Sequence, residues 1–114
     1  MGEATGKQAE STQKRIGYKV FESEEACRDY FRGILSGYRK QQDLNEYEFH
    51  NVMALVESYH PNAENKLQEG VRAIQIREKH VDGRPSKCFH LIKENGDIDD
   101  VSYVKCVDNM FAKK

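Results

Sequence analysis

The stretch KCFHLIKENGDIDDVSYVKC, residues 87–106, decides the fold of this chain. Its first part alternates around Phe89 and Leu91, which predicts a strand over residues 87–93. Asn95-Gly96 is a pair that two-residue hairpin turns prefer, because both residues tolerate positive φ. The stretch therefore predicts two neighbouring antiparallel strands joined by a tight turn.

The second half of the stretch predicts a short strand and then a helix. The strand covers about residues 98–101, and Asp100 and Ser102 are suited to cap a helix that follows to about residue 111. The apolar residues of this helix recur at three- and four-residue steps and predict one buried side. They are Tyr103, Val107 and Met110.

Upstream, a short apolar segment at residues 17–21 predicts a strand, and Ser23 is a suitable cap for a first helix. The apolar face of this helix consists of Cys27, Tyr30, Phe31, Ile34, Leu35 and Tyr38. Asn45, with Glu48 three residues later, resembles a capping box and predicts a second helix. Pro61 ends that helix, because the residue before a proline avoids the helical region.

After a polar connection at residues 62–70, the chain predicts a strand at 71–77 and a loop at 79–86 around Asp82-Gly83. The predicted order is β-α-α-β-β-β-α. Consecutive strands with short links form antiparallel sheets. We therefore expect an α+β fold, in which about three helices cover a small antiparallel sheet of three to four strands.

Residues 1–16 contain no large apolar side chain before Ile16, so we expect a disordered tail there and a single domain at 17–114.

The three cysteines are widely spaced and include no C-x-x-C pair, which favours reduced thiols and predicts neither a disulfide framework nor a metal site. No apolar run is long enough to span a membrane. We expect no cofactor, and we assume a monomer.

Three blocks of the chain carry a family resemblance. They are SYHPNAENKLQEGV at residues 58–71, KCF at 87–89 and NGDIDDVSYVKC at 95–106. In order and spacing they resemble the domain of the plant DCL (defective chloroplasts and leaves) proteins. The same domain occurs at the C-terminus of the largest subunit of a plant-specific RNA polymerase. The resemblance covers residues 19–111.

Some positions match the family pattern and others depart from it. His60-Pro61, Cys88-Phe89, Ser102-Tyr103 and Lys105-Cys106 match. Gln68 stands in place of Gly, Lys87 in place of Arg, and Val104 in place of Arg. The lost basic residue at position 104 weakens the expectation of a nucleic-acid contact there.

The resemblance implies a role in ribosomal RNA processing and ribosome biogenesis. Glu3 and Glu10 are unusual in an organelle transit peptide, so we expect a nuclear or nucleolar protein. A plastid location is the alternative if the natural protein carries a transit peptide ahead of this sequence.

A catalytic interpretation is weaker. Cys88 and Cys106 with His60 and His90 could supply a thiol and a base. Buried cysteine acting as a small hydrophobic residue is the commoner state, and a histidine before a proline is typical of a helix end. We therefore predict no catalytic residues and no enzyme.

The formal net charge of the chain is −1, so any contact with nucleic acid must rest on a local patch. The candidate contacts are Arg72, Arg77, Lys79, Arg84, Lys87 and Lys105. These cations could bind the phosphates of RNA or of a ribonucleoprotein. The alternative is a solvated face on an adaptor that docks on a polymerase or pre-ribosome without touching RNA.

Overall fold

The structure, a computed structural model, describes residues 13–112. Its elements in chain order are β1 Lys14–Ile16, β2 Lys19–Phe21, α1 Glu24–Gly37, α2 Glu46–Tyr59, α3 Ala63–Leu67, β3 Val71–Val81, β4 Arg84–Lys93, β5 Ile98–Val101 and α4 Tyr103–Met110. β1 and β2 form a hairpin, and β3, β4 and β5 form an antiparallel sheet in that order. The predicted α+β class is confirmed.

The core lies between one face of the three-stranded sheet and the helices α1, α2 and α4. Ile76, Phe89 and Val101 are paired across the three strands, and all three are buried. Phe31 of α1 and Val107 of α4 are fully buried in the same cluster. Burying each such side chain contributes about 1.5–3 kcal/mol, so this layer is a major source of stability.

Polar side chains fix the helix starts, as predicted. Ser23 Oγ accepts from the amide of Ala26 at 3.1 Å, and Ser102 Oγ accepts from the amide of Lys105 at 3.3 Å. Asp100 was predicted to cap the last helix together with Ser102. Its side chain instead pairs with Lys79, because both side chains lie on the outer face of the sheet.

The second helix is also capped as predicted, but its capping box is incomplete. Asn45 Oδ1 accepts from the amide of Glu48 at 2.8 Å. The carboxylate of Glu48 accepts from the hydroxyl of Tyr30 at 2.6 Å, and the amide of Asn45 donates to the hydroxyl of Tyr38. Tertiary partners have therefore replaced the reciprocal bond of the box.

The predicted loop at residues 79–86 is wrong, because β3 and β4 continue to pair as far as Val81 and Arg84. Asp82 and Gly83 have φ of 53° and 78° and close the hairpin as a two-residue turn. Positive φ at both central residues is the conformation that suits the twist of a hairpin. The predicted strand at 71–77 is thus the first part of a longer one.

The turn at Asn95-Gly96 also differs from its prediction. The amide of Gly96 donates to Lys93 O at 3.0 Å, and the amide of Lys93 donates to Asp97 O at 2.8 Å. Of these residues, Gly96 is the one with positive φ, at 94°. The connection is therefore a three-residue loop ending in a glycine bulge, not a two-residue turn.

The first strand begins earlier in the chain than predicted. Lys14–Ile16 forms β1, and Ile16 is buried, so these three residues do not belong to the expected tail. Gly17 and Tyr18 form the turn to β2, so the strand predicted at 17–21 is half of a hairpin. The rest of the predicted tail, residues 1–12, lies outside the described residues, as do 113 and 114. The predicted polar connection contains the short helix α3.

The outer edge of β3 is covered by the segment that joins α1 to α2. The amide of Gln41 donates to Ile76 O, and the amide of Leu44 donates to Ile74 O, both at 2.8 Å. The side chain of Gln75 donates to Asp43 Oδ1 at 2.7 Å. The two backbone contacts occupy the carbonyls of Ile74 and Ile76, which an edge strand would otherwise expose.

None of the helices between residues 13 and 112 has the length and apolar character needed to cross a bilayer.

Candidate nucleic-acid interface

The distal parts of β3 and β4 form a two-stranded ribbon, residues 77–88, which we call the ribbon arm. β5 pairs with β4 only from Phe89 to Ile92, so the ribbon arm has no third strand beside it. Residues 78–87 are all exposed. The sheet thus extends past its helix layer and presents both faces of a ribbon to solvent.

The ribbon arm is locally basic although the whole chain is not. It carries four cationic and two acidic side chains, a formal charge of +2, against −1 for the full sequence. Successive side chains in a strand point to opposite faces. By that alternation Arg77, Lys79 and Arg84 share the outer face, away from the helices, while Lys87 opposes Glu78 on the other face.

The structure therefore brings together three of the six predicted contacts and separates the others. Lys87 lies on the same arm but on its other face. Arg72 lies at the far end of β3, in the register shift between Val71 and Ala73. Lys105 is exposed on α4. One continuous patch of all six side chains is not present.

Carboxylates neutralise part of the outer face. Lys79 Nζ lies 2.8 Å from Asp100 Oδ2, and this contact raises the pKa of Lys79 and lowers the pKa of Asp100. Arg77 Nε donates to Gln75 Oε1 at 3.1 Å. Arg84 and Lys87 form no ion pair with any residue between 13 and 112. Arg84, at the tip, is therefore the strongest candidate for an external anion.

A shallow open depression of about 380 Å³ lies beside the base of the arm. It is lined by Lys40, Gln41, Arg77, Glu78, His90 and Ile98. Lys40 Nζ and Glu78 Oε2 are 3.4 Å apart. The depression extends the surface near Arg77 toward the covered edge of β3.

Lys105 lies in a second depression, which contains several residues of the family resemblance. Its lining includes His60, Pro61, Lys66 and Ser102. Lys66 Nζ donates to Asp99 Oδ1 at 2.9 Å and to Asp100 O at 2.7 Å. Lys66 therefore fastens α3 to β5, which is a structural role for this residue of the first family block.

The surroundings of each of the three thiols favour its protonated form. Cys27 and Cys106 are fully buried, and burial raises their pKa to about 11 and about 12. Cys88, which we expected to be buried, is half-buried on the outer face beside His90, and burial raises its pKa as well. A thiol held protonated is a poor nucleophile. Residues 13–112 also contain no group of three or more His, Cys, Asp or Glu placed to bind a metal.

Sequence reasoning missed an exposed aromatic cluster formed by Tyr18, Tyr47 and His50. Tyr18 comes from the β1–β2 turn, whereas the other two lie on the first turns of α2. Tyr47 and His50 are three residues apart on the solvent side of the predicted helix, which was a usable signal. The position of Tyr18 was not predictable, because the hairpin itself was not predicted.

The fold and the ribbon arm define a small α+β domain that presents a basic two-stranded ribbon beside a helix-covered sheet. The chain belongs to the family described as "Protein of unknown function (DUF3223)", whose model matches residues 32–107. The relatives include a DCL homolog, so the resemblance seen in the sequence is confirmed.

Three relatives from Arabidopsis thaliana show how this domain is distributed. Protein EMBRYO DEFECTIVE 514 is 31% identical over 105 residues, which cover 92% of this chain and 51% of that protein. Protein DCL homolog, chloroplastic, is 27% identical, over 68% of this chain and 35% of that protein. DNA-directed RNA polymerase IV subunit 1 is 36% identical, over 65% of this chain and 5% of that protein. The chain thus spans about half or less of each relative.

The fold also occurs in a bacterial protein. The solution NMR structure of an uncharacterized protein from Rhodospirillum rubrum superposes with a TM-score of 0.74 at 20% identity, covering 90% of this chain and 96% of that one. This similarity supports the fold.

Proposed function

We propose that this chain is a non-enzymatic module of ribosomal RNA processing and ribosome biogenesis, which contacts RNA or a ribonucleoprotein through the ribbon arm. The observation that carries the proposal is the arm itself. Ten consecutive residues are exposed on a ribbon of net positive charge, and Arg77, Lys79 and Arg84 share one face. Arginine pairs with phosphate through two parallel hydrogen bonds, which suits such a face to a nucleic-acid backbone.

The distribution of the domain supports a binding role. Its relatives include the subunit 1 chains of DNA-directed RNA polymerases IV and V, of which the matched region is 5% and 4%. A domain that forms so small a part of very large chains is suited to tether or orient a partner. The names of these polymerase subunits describe the relatives alone. That this chain contacts RNA and acts in its processing is our proposal.

The six predicted residues are not equivalent in this proposal. Arg77 and Arg84 are the principal contacts, and Lys79 is weakened by its pairing with Asp100. Lys87 can reach a second strand of RNA from the other face of the arm. Arg72 and Lys105 are peripheral, because they lie away from the arm.

The test is a binding titration of the full chain against a structured RNA at two salt concentrations. Neutralising phosphates releases counterions, so each contact that is removed lowers the slope of log K against log salt by about 1. We expect Arg77→Ala with Arg84→Ala to weaken binding and to reduce the slope by about 2. The matched control is Arg15→Ala with Arg32→Ala, which removes two exposed arginines outside the arm, on β1 and α1. The proposal of direct contact is wrong if binding is insensitive to salt, or if both double variants weaken it equally.

A second candidate function is an adaptor that binds protein and not RNA. The observation in its favour is the exposed aromatic cluster where the β1–β2 turn meets α2, together with the near-neutral charge of the whole chain. Loss of partner association on mutation of that cluster, with no RNA binding by the wild type, would establish it.

For location we propose the nucleus or nucleolus, with the plastid as the alternative. The name of one relative includes "chloroplastic", which supports the plastid as the alternative. Imaging of the complete natural protein as a fluorescent fusion distinguishes the two.

A further inference from the structure

Three aromatic rings are stacked at the surface where the β1–β2 turn meets α2. The ring of Tyr18 lies 5.3 Å from that of Tyr47, with an interplanar angle of 15°, and 4.2 Å from that of His50, with an angle of 25°. Tyr18 is 58% exposed and Tyr47 is 45% exposed. We call these three residues the aromatic platform.

The aromatic platform is held in place by buried groups. The amide of Tyr18 donates to Asn51 Oδ1 at 2.8 Å, and Asn51 is fully buried. Asn51 Nδ2 in turn donates to the hydroxyl of Tyr30 at 2.8 Å. Burying an amide is costly unless each polar atom is paired, so this network fixes the turn that carries Tyr18. The exposed ring is therefore pre-organised, which reduces the entropy cost of binding.

A single exposed tyrosine needs no explanation, because many apolar atoms remain at protein surfaces. Here two exposed tyrosines are stacked, and they line an open depression of about 470 Å³ with Phe49 and His50. A concave aromatic surface of this kind is typical of a recognition site.

The charge in the depression selects the ligand. Glu46 also lines the depression, and it is the one fully charged side chain among the described residues that do so. A carboxylate beside an aromatic face attracts cations and repels phosphates. The same hairpin already makes a contact of this type, since Lys19 Nζ lies 4.9 Å from the centroid of the Tyr30 ring.

We propose that the aromatic platform binds an arginine side chain of a peptide segment in a protein partner. The planar guanidinium can stack on a tyrosine face while it donates to the carboxylate of Glu46. This site is separate from the ribbon arm and does not depend on the proposed contact with RNA.

The test is an amide-resolved NMR titration of the full chain with a short Gly-Arg-Gly peptide. Two peptides of the same length serve as controls, with lysine and with citrulline, which keeps the planar shape of arginine but lacks its charge. We expect shifts at Tyr18, Tyr47 and His50, a weaker response to lysine and almost none to citrulline. Equal responses to arginine and citrulline, or shifts elsewhere only, would overturn the proposal.

Variants locate the site. Tyr18→Ala should weaken binding by at least about twofold, the size of an exposed cation–π contact, whereas Tyr18→Phe should retain it. Glu46→Gln should weaken it by about twofold to fivefold. Val20→Ala, at an exposed position of the same hairpin, should leave it unchanged. If Tyr18→Ala does not fold, Glu46→Gln and the citrulline peptide still decide the matter.

Single-stranded RNA without secondary structure tests the competing ligand. If oligouridine shifts Tyr18 and Tyr47 and the arginine peptide does not, the platform stacks bases and our assignment of a cationic peptide is wrong.

Discussion

The backbone amide of Tyr18 and the side-chain oxygen of Asn51 are joined by a hydrogen bond of 2.8 Å across 33 positions of sequence. This bond attaches the N-terminal hairpin to the middle of α2. Asn51 is fully buried, so the bond is shielded from water at its acceptor end. Loss of the hairpin would leave that acceptor unpaired, which costs about 1–3 kcal/mol.

Gly17 is required at the turn that makes this bond possible. Its φ is 59°, and a Cβ there would lie 2.4 Å from Asn51 Oδ1. We expect Gly17→Ala to lower the free energy of unfolding by about 1–2 kcal/mol from the left-handed conformation alone, with the clash adding to it. Urea denaturation measures the change.

Gly33→Ala is the matched control, because Gly33 lies in α1 and a Cβ there would meet nothing within 4 Å. It should raise the free energy of unfolding by up to about 1 kcal/mol, since alanine is the better helix former. Equal effects of the two substitutions would contradict the role given to Gly17.

His60 should give a pH dependence of stability. Burial lowers its pKa below the ordinary 6.5, with Lys66 and Lys105 acting in the same direction. Its neutral Nδ1 accepts from the amide of Asn62 at 2.9 Å. A lowered pKa means that the folded state binds the proton less readily than the unfolded state, so this contribution is present above pH ~6.5 and lost as pH falls toward the lowered value.

We therefore expect the imidazole of His60 to titrate below 6.5 by NMR. We also expect the difference in stability between wild type and His60→Gln to shrink as the pH falls. A midpoint above 6.5 would contradict this account.

The three thiols should differ in reactivity. Cys27 and Cys106 are fully buried, while Cys88 is partly accessible. With an aromatic disulfide reagent at mildly alkaline pH, we expect slow labelling of one thiol in the native protein and of three after unfolding. Cys88→Ser should abolish the native reaction. Labelling of the native Cys88→Ser variant would show that the core opens more readily than its packing indicates.

Asp100 limits the positive charge of the ribbon arm, because it pairs with Lys79. If the arm binds RNA, Asp100→Asn should free Lys79, strengthen binding and increase the salt slope by up to about 1. Asp29→Asn is the control, since it frees Arg32, which belongs to α1 and not to the arm. The same gain from both variants would indicate a nonspecific effect of net charge.

The amides of the ribbon arm should exchange with solvent faster than those of the covered sheet. Residues 78–87 are exposed, whereas Ile76 and Leu91 are fully buried. Segments with few buried contacts open locally at low cost, so we expect a difference of at least about tenfold in hydrogen exchange between Lys79 and Leu91. Equal protection would mean that the arm is stabilised by something other than its own hairpin.

The sequence was sufficient for elements whose signal is local. The caps at Ser23, Asn45 and Ser102, the helix end before Pro61 and the pairing of the central strands all follow from neighbouring residues. The hairpin between β3 and β4 was harder to predict from the sequence. The polar residues around Asp82-Gly83 read as a loop, because a solvent-exposed ribbon lacks the alternation that a half-buried strand requires.

The sequence was sufficient to identify the cationic residues of the candidate site, but not to predict which of them lie together on one face. The cations of residues 72–87 were identified, but which of them share a face depends on the register between β3 and β4. The pairing of Lys79 with Asp100 joins residues 21 positions apart. The aromatic platform depends on a turn closed by a buried side chain 33 residues away. Such long-range contacts leave no local trace in the sequence.

The strap formed by Gln41 and Leu44 along β3 also bears on how this domain meets other chains. An uncovered edge strand recruits strands from neighbouring chains and promotes aggregation. At the opposite edge, β5 is short and carries Asp99 and Asp100, which discourage such pairing. The strap and the short β5 therefore protect the part of the sheet that the helices cover, whereas the ribbon arm keeps the outer edges of β3 and β4 open. A strand from a neighbouring chain would be directed to the arm and not to the body of the sheet.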